Sequence, residues 1–391
     1  MTMNKGPIII LGGGLAGWTA AHWLRNFFPA QQSIIVIERG DNDDPACINV
    51  TPAAAGFFRD QGISEHDLIA QGASRVLATQ YSTENSGINF FLPFSPTGFQ
   101  LNHIPFHHYA IMAREKGMAM NYQDYSLSAL ASSRGKFRLP SKEDSSVFST
   151  LTHGYTLDTV KLTGYLKQLS VDSGVVCIVG DLKEVIHATN GDVQSLLVLV
   201  DGQEQKVEGS FFVDTGGKSS SSLPSLVNST YHSNQHVLPV NCQITYSSSR
   251  GASEIVNSIV AVEMGWLITR TSVDTQVIQL QFNDNFFSAD TAIKYISLKF
   301  GISESECVVT QLQPGRQSCF WSKNCVAIGK AAGYLQEFSF SFLSLVQSGL
   351  ARLLTLFPRA EDNTTLAQEY NRLTHLEYDW IEDFHSLAYR L

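Results

Sequence analysis

Gly12, Gly14 and Gly17 are the first residues of this chain whose types and spacing could do chemistry. They stand in Gly12-Gly-Gly-Leu15-Ala16-Gly17, directly after the apolar run 8–11 and directly before Trp18, Ala20, Ala21, Trp23 and Leu24 at helical spacing. In a G-x-G-x-x-G turn between strand and helix, the first glycine permits the tight turn and the second lets the backbone approach a pyrophosphate. The third lets the helix lie close to the strand, and the unpaired N–H groups of the helix start face the phosphates. A second apolar run, 33–37, ends at Glu38, about 20 residues beyond the last glycine, where a carboxylate accepts from a ribose and repels a 2′-phosphate. Arg39 follows, either as an adenine or phosphate contact or as a solvated cation. Strand, helix, strand and acid in this register predict a dinucleotide in a βαβ unit.

That motif does not separate NAD from FAD, but the later chain does. Residues 323–329 read as a strand ending at Gly329, followed by Ala331, Ala332, Gly333 and an apolar, aromatic helix. A flavoprotein returns to its first sheet in this way and lays a second helix start toward the ribityl and phosphate region, so FAD is the expected cofactor, with Gly329 and Gly333 among its contacts. Three further residues are candidates for catalysis. Arg75 reads as a substrate or flavin contact or as a surface charge. His107 lies with His103 and His108 around Pro105-Phe106 in an expected loop, and a histidine serves as acid or base near neutrality. As neighbours, His107 and His108 are expected to point apart. Glu337 is the carboxylate best suited to proton handling. Trp266, Phe338 and Phe340 read as pocket lining or packed core, and Lys323 as a phosphate contact or a strand flank.

The elements that must position these residues follow from periodicity. Residues 157–169 read as a helix and 174–179 as a strand; 185–188 and 196–200 read as an antiparallel pair turned at Asn190-Gly191. A strand over 209–216 enters a glycine turn, with Asp214 as a structural cap or a residue near the cofactor. Strands are expected at 240–246, 259–261, 265–269, 277–282 and 296–300, forming a sheet under a substrate pocket. Ser219–Ser222 reads as a loop, and 365–389 as a closing helix.

Bulk properties bound the function. With 391 residues, 43% of them hydrophobic, the chain can bury a large core, and 16% charged residues is low for a soluble domain. A net charge of −9 and no long basic run argue against nucleic acid. The six cysteines lie far apart without a CxxC pair and fit buried thiols in a reducing compartment better than a disulfide framework or zinc site. No signal peptide or membrane span is expected at the start or elsewhere, which places the protein in the cytoplasm as an expectation.

The order of motifs resembles the flavin-dependent tryptophan halogenase family along nearly the whole chain. The similar pieces are Gly12 to Ala21, Val50-Thr-Pro-Ala leading to Gly62-Ile-Ser-Glu-His-Asp-Leu68, and Phe212-Val-Asp-Thr-Gly-Gly217. Later come Pro314-Gly-Arg316, Trp321 to Gly329, and Tyr370-Asn371 with Asp383-Phe384. The resemblance implies an α/β fold: a Rossmann-like FAD-binding domain with an inserted β-sheet substrate domain, as in flavin monooxygenases and halogenases. It divides the chain into a split FAD domain (1–90, 150–220, 305–355), a substrate region (91–149, 221–304) and a closing helix (356–391). It places Pro52 and Ala53 in a flavin-side loop and implies reduced flavin reacting with oxygen. A family lysine that holds the oxidant corresponds to Arg75, whose guanidinium stays protonated. The W-x-W-x-I-P signature corresponds to 265–270, with Trp266 retained. The halide turn corresponds to 336–341 in a different order. On these departures the reading expects monooxygenase-type oxidation of an indole or phenol, with halogenation in doubt. The substrate is then a small molecule or a tryptophan side chain of a partner protein in quinone cofactor biogenesis, with electrons from a flavin reductase or a nicotinamide. Halogenation of an aromatic substrate and a non-catalytic, flavin-binding assembly role are the alternatives.

Overall fold

The computed structural model describes residues 6–40, 44–216, 229–249, 254–338, 342–358 and 363–389. Gly217, the serine loop 219–222, Phe340 and Ser341 lie outside them. The chain divides into two compact units: Met1–Pro45 with Thr159–Pro239 and Gln313–Leu391, and Ala46–Asp158 with Val240–Leu312. The expected split had grouped 46–90 with the glycine motif. Their backbone hydrogen bonds instead go to strands of the second unit, Cys47–Val50 to Gly154–Asp158 and Ala78–Thr83 to Val256–Val262. The closing helix packs with the first unit.

In the first unit, β1 (Ile8–Leu11) is apolar and buried on both faces, as a central parallel strand requires. It feeds α1 (Leu15–Phe27), β2 (Ile34–Glu38), α2 (Thr159–Asp172), β3 (Val176–Val179) and β4 (Phe211–Asp214). The chain comes back much later as β5 (Trp321–Ser322), β6 (Cys325–Ala327), α3 (Phe342–Thr355) and α4 (Thr364–Ala388). The six-stranded sheet runs β5-β6-β4-β1-β2-β3, parallel throughout except for β5 against β6. Strand order therefore reverses beside β1, and such a switch point opens a crevice at the carboxyl ends of β1 and β4, where Gly12 and Thr215 stand. Helix α1 is buried all round because α2 and α3 both pack on it. It stops ahead of Pro29, and Arg25 in its last turn donates to the carbonyls of Phe28 and Gln32 at 2.8 and 2.7 Å.

Three expectations in this unit need correction. The helix placed over 157–169 begins only at Thr159, because 154–158 alternates into a fully buried strand. The strand placed over 323–329 is a hairpin of β5 and β6, turned at Lys323-Asn324, where Lys323 takes φ +54°. The antiparallel pair beyond β3 has a third strand, Gln203–Glu208, whose polar sequence hid it.

The second unit is built on a seven-stranded sheet to which Cys242–Ser248, Val256–Val262, Gly265–Thr271 and Gln276–Phe282 all contribute. The expected strand at 296–300 is the end of a helix, Ala289–Phe300. Ile296, Leu298 and Phe300 alternate like a strand, but Ala292 and Ile296 form the buried stripe while Leu298 is 86% exposed. Ser288 caps the helix start, and Gly301 ends it in the left-handed region at φ +65°. Among the described residues no helix is long and apolar enough to cross a membrane. All six cysteines are free thiols, but only Cys47, Cys242 and Cys325 are buried as expected, while Cys177, Cys307 and Cys319 are half-buried.

Candidate active site

The glycine turn is held by its neighbours. Gly12 takes φ +111°, and a side chain there would strike the Thr215 hydroxyl at 2.7 Å. That hydroxyl donates to the Leu11 carbonyl at 2.7 Å and ties the end of β1 to β4. Gly17 faces the Gly12 carbonyl so closely that a Cβ would lie 1.8 Å from its oxygen. Helix and loop therefore meet backbone to backbone. Gly14 is the N-cap of α1 and offers no side-chain cap, and no acidic residue stands in the first turn. The helix start, with Leu15 and Ala16, is left to serve an anion from outside.

An anion is already there. Asp44 accepts the Leu15 N–H at 2.7 Å, and Lys330, in the turn after β6, lies 3.1 Å from its other carboxylate oxygen. Neither was singled out in the sequence. Glu38, at the end of β2, is also engaged, by the Trp18 indole N–H at 3.0 Å and the Lys167 ammonium at 2.5 Å. Two oxygens still leave acceptor capacity for a ribose. Burial pulls the Lys167 ammonium down, and the hydrogen bond to Glu38 outweighs it, so its pKa is raised. Arg39 pairs with Asp181 at 3.2 Å on the surface. Asp214 accepts the Gly216 N–H at 2.8 Å and so shapes the turn after β4.

Further along the unit, Gly329 turns at φ +66° against Val346, and Gly333 lies where a Cβ would be 2.6 Å from the Gly315 carbonyl. The Pro314-Gly-Arg316 motif is structural: Arg316 donates to the His375 carbonyl at 3.1 Å and pairs with Asp379, fixing α4. Asn371 likewise accepts the N–H groups of Phe320 and Trp321, both at 2.8 Å. Lys323 is an exposed residue of the turn between β5 and β6. Beside Gly333 a cavity of about 360 Å³ opens between residues 333–337 and 342–345 on one side and α4 on the other, lined by Glu337, Phe342, Trp380, Phe384 and His385 among others. Glu337 and His385 are both buried, and burial pushes His385 down to about 4, so the imidazole is neutral. Phe338 meets its ring edge-on at 5.2 Å.

The second unit carries the remaining candidates. Arg75, on the strand Ser74–Val76, donates to Glu65 at 2.6 Å, and His153 meets the same carboxylate oxygen at 3.0 Å. Burial raises the Glu65 carboxyl, but the bonds from Arg75 and His153 outweigh it and hold it below the usual range. Burial and the nearby Glu65 raise the Tyr155 phenol. Pro52 and Ala53 open the helix Pro52–Asp60 rather than a loop, since proline lacks the N–H that the first helical position leaves unused. His107 is on the helix Phe106–Glu115, not in a loop, and is exposed. Its ring lies 4.1 Å from that of His108, so the two do not point apart. Trp266 is half-buried in the seven-stranded sheet.

The parallel sheet, the glycine turn at its switch point, the anion seat on α1 and Glu38 at the end of β2 make a dinucleotide cradle, and its residues fit FAD. The family model described as Tryptophan halogenase matches residues 7–391, and the chain belongs to this family. A 7-chloro-L-tryptophan 6-halogenase of Kutzneria sp. (strain 744) is 23% identical, the alignment covering 98% of this chain and 79% of the relative. A flavin-dependent halogenase from Brevundimonas sp. BAL3 superposes with a TM-score of 0.88 at 26% identity, covering 97% of this chain and 77% of that one. One from Xanthomonas campestris gives 0.89 at 23% identity, covering 97% and 76%. The expectation of a monooxygenase with halogenation in doubt is overturned by this match. The departures at 75, 265–270 and 336–341 lie inside a chain that follows the halogenase family from end to end.

Proposed function

We propose that the protein uses FAD and oxygen to halogenate an electron-rich aromatic ring, an indole or a phenol. The family match over 7–391, together with an intact cofactor cradle, carries this reading. When bound and reduced, FAD would give oxygen two of the four electrons that take it to water, and the halide would give the other two and so become electrophilic. The glycine turn and the start of α1 hold the dinucleotide. Glu337, buried in the wall of the aromatic cavity, takes the proton that the ring carbon sheds when halogen replaces hydrogen. Arg75 keeps N–H donors beyond the one given to Glu65 and serves anionic halide species by charge, not by forming a covalent amine adduct.

A second reading, in which the ring is a tryptophan of a partner protein, is favoured by exposed apolar residues of the second unit: Phe99 (65%), Leu101 (56%), Ile111 (53%) and Met118 (62%). Both are tested by supplying the FAD-loaded protein with a flavin reductase, nicotinamide, oxygen and bromide. Free tryptophan, phenols and tryptophan-containing peptides are offered in turn, and products are read by mass spectrometry. A bromine isotope doublet is the expected result. Oxygen added without bromine overturns halogenation, and turnover of peptides alone selects the second reading.

A further inference from the structure

The start of α1 is a seat for an anion, and this chain fills it itself. Gly14 gives no cap, and the first turn holds no acid, so the positive end of α1 is met by Asp44 from the segment after β2. The Asp44 carboxylate is 6% exposed. One oxygen takes the Leu15 N–H at 2.7 Å, and the other lies 3.1 Å from Lys330, itself over the Phe342 ring at 5.3 Å. A pyrophosphate on a G-x-G-x-x-G turn needs the same N–H groups. One donor cannot serve two anions at full strength. A carboxylate left beside a diphosphate in a partly buried site sets like charges within a few ångströms of each other.

We propose that Asp44 is a built-in stand-in for the FAD pyrophosphate. On binding, the phosphates displace it from the Leu15 N–H and take over Lys330 as their cation, so Lys330 is a cofactor-binding residue and Asp44 its competitor. The inference rests on FAD binding and concerns affinity rather than turnover.

The test is a titration of apoprotein with FAD, read by flavin fluorescence at several salt concentrations. Asp44→Asn, which removes the competing charge, tightens FAD binding about tenfold, and Lys330→Met weakens it about tenfold and flattens its salt dependence. Inorganic pyrophosphate competes with FAD, and competes more strongly in Asp44→Asn. If Asp44→Asn weakens FAD binding, Asp44 stays in place and merely positions Lys330, and the proposal fails. It also fails if neither variant changes the affinity. Should Asp44→Asn not fold, Asp44→Ser is titrated instead, and an unchanged affinity in Lys330→Met overturns the proposal by itself. Wild-type protein that bound no FAD would overturn the flavin assignment, and this inference with it.

Discussion

At Gly17 a single methyl group decides whether the cofactor cradle exists. A Cβ 1.8 Å from the Gly12 carbonyl oxygen cannot be absorbed by a rotamer change, because the obstacle is backbone. Gly17→Ala is therefore expected to separate α1 from the loop and yield protein without flavin, seen as a lost flavin-to-protein absorbance ratio. Arg75 is on a strand of the second unit, whereas the glycine turn belongs to a sheet of the first. Arg75→Ala should leave FAD affinity unchanged while lowering turnover about tenfold, and Arg75→Lys should restore much of it. FAD affinity lost in step with turnover would show that Arg75 acts through the fold. The glycines and Glu38 were legible because their meaning follows from order along the chain, one short loop between a strand and a helix and an acid at the end of the next strand. Asp44 with Lys330 and Glu65 with His153 were not, because each of these contacts joins residues far apart in the chain, and the Glu65 that Arg75 meets is ten residues away on another element.

Elements were readable where period and punctuation agreed. β1, α1 and α4 follow from apolar spacing alone, with α4 expected over 365–389 and found at Thr364–Ala388. At 289–300 the two signals competed: the last five residues alternate, while Ser288 and Gly301 mark the two ends of a helix. The caps were the better guide, since an alternating run of five fits either period. At 323–329 an apolar run concealed a turn, because the turn needed only two residues. Helix α4 owes its place to a few polar contacts. Asn371 satisfies the N–H groups of Phe320 and Trp321 and donates to the Trp321 carbonyl at 2.9 Å. Asn371→Ala leaves those groups without a partner and should cost about 2–3 kcal/mol, measurable as a lower urea midpoint at unchanged slope.

Across the whole molecule, acid sensitivity is set in part by one histidine. His385 has its pKa pushed by burial from 6.5 to about 4, so the unfolded chain takes up a proton that the folded one refuses. Stability is then complete above 6.5 and declines as pH falls toward 4, by at most about 3 kcal/mol. His385→Phe should flatten urea stability across that window, whereas a pH profile identical to wild type would assign the acid loss to other groups. The strand pairing of the first unit bears on a different matter, the order of events in the cell. β1 pairs with β4 some two hundred residues later, and β4 waits for β6, which begins at Cys325. The sheet that carries the glycine turn is thus stitched together from segments around 8–38, 176–214 and 321–327. A nascent chain halted before β6 has the motif but not the sheet, so flavin loading comes after synthesis has passed Ala327. Ribosome-bound chains stopped short of that point should emerge colourless however much FAD surrounds them.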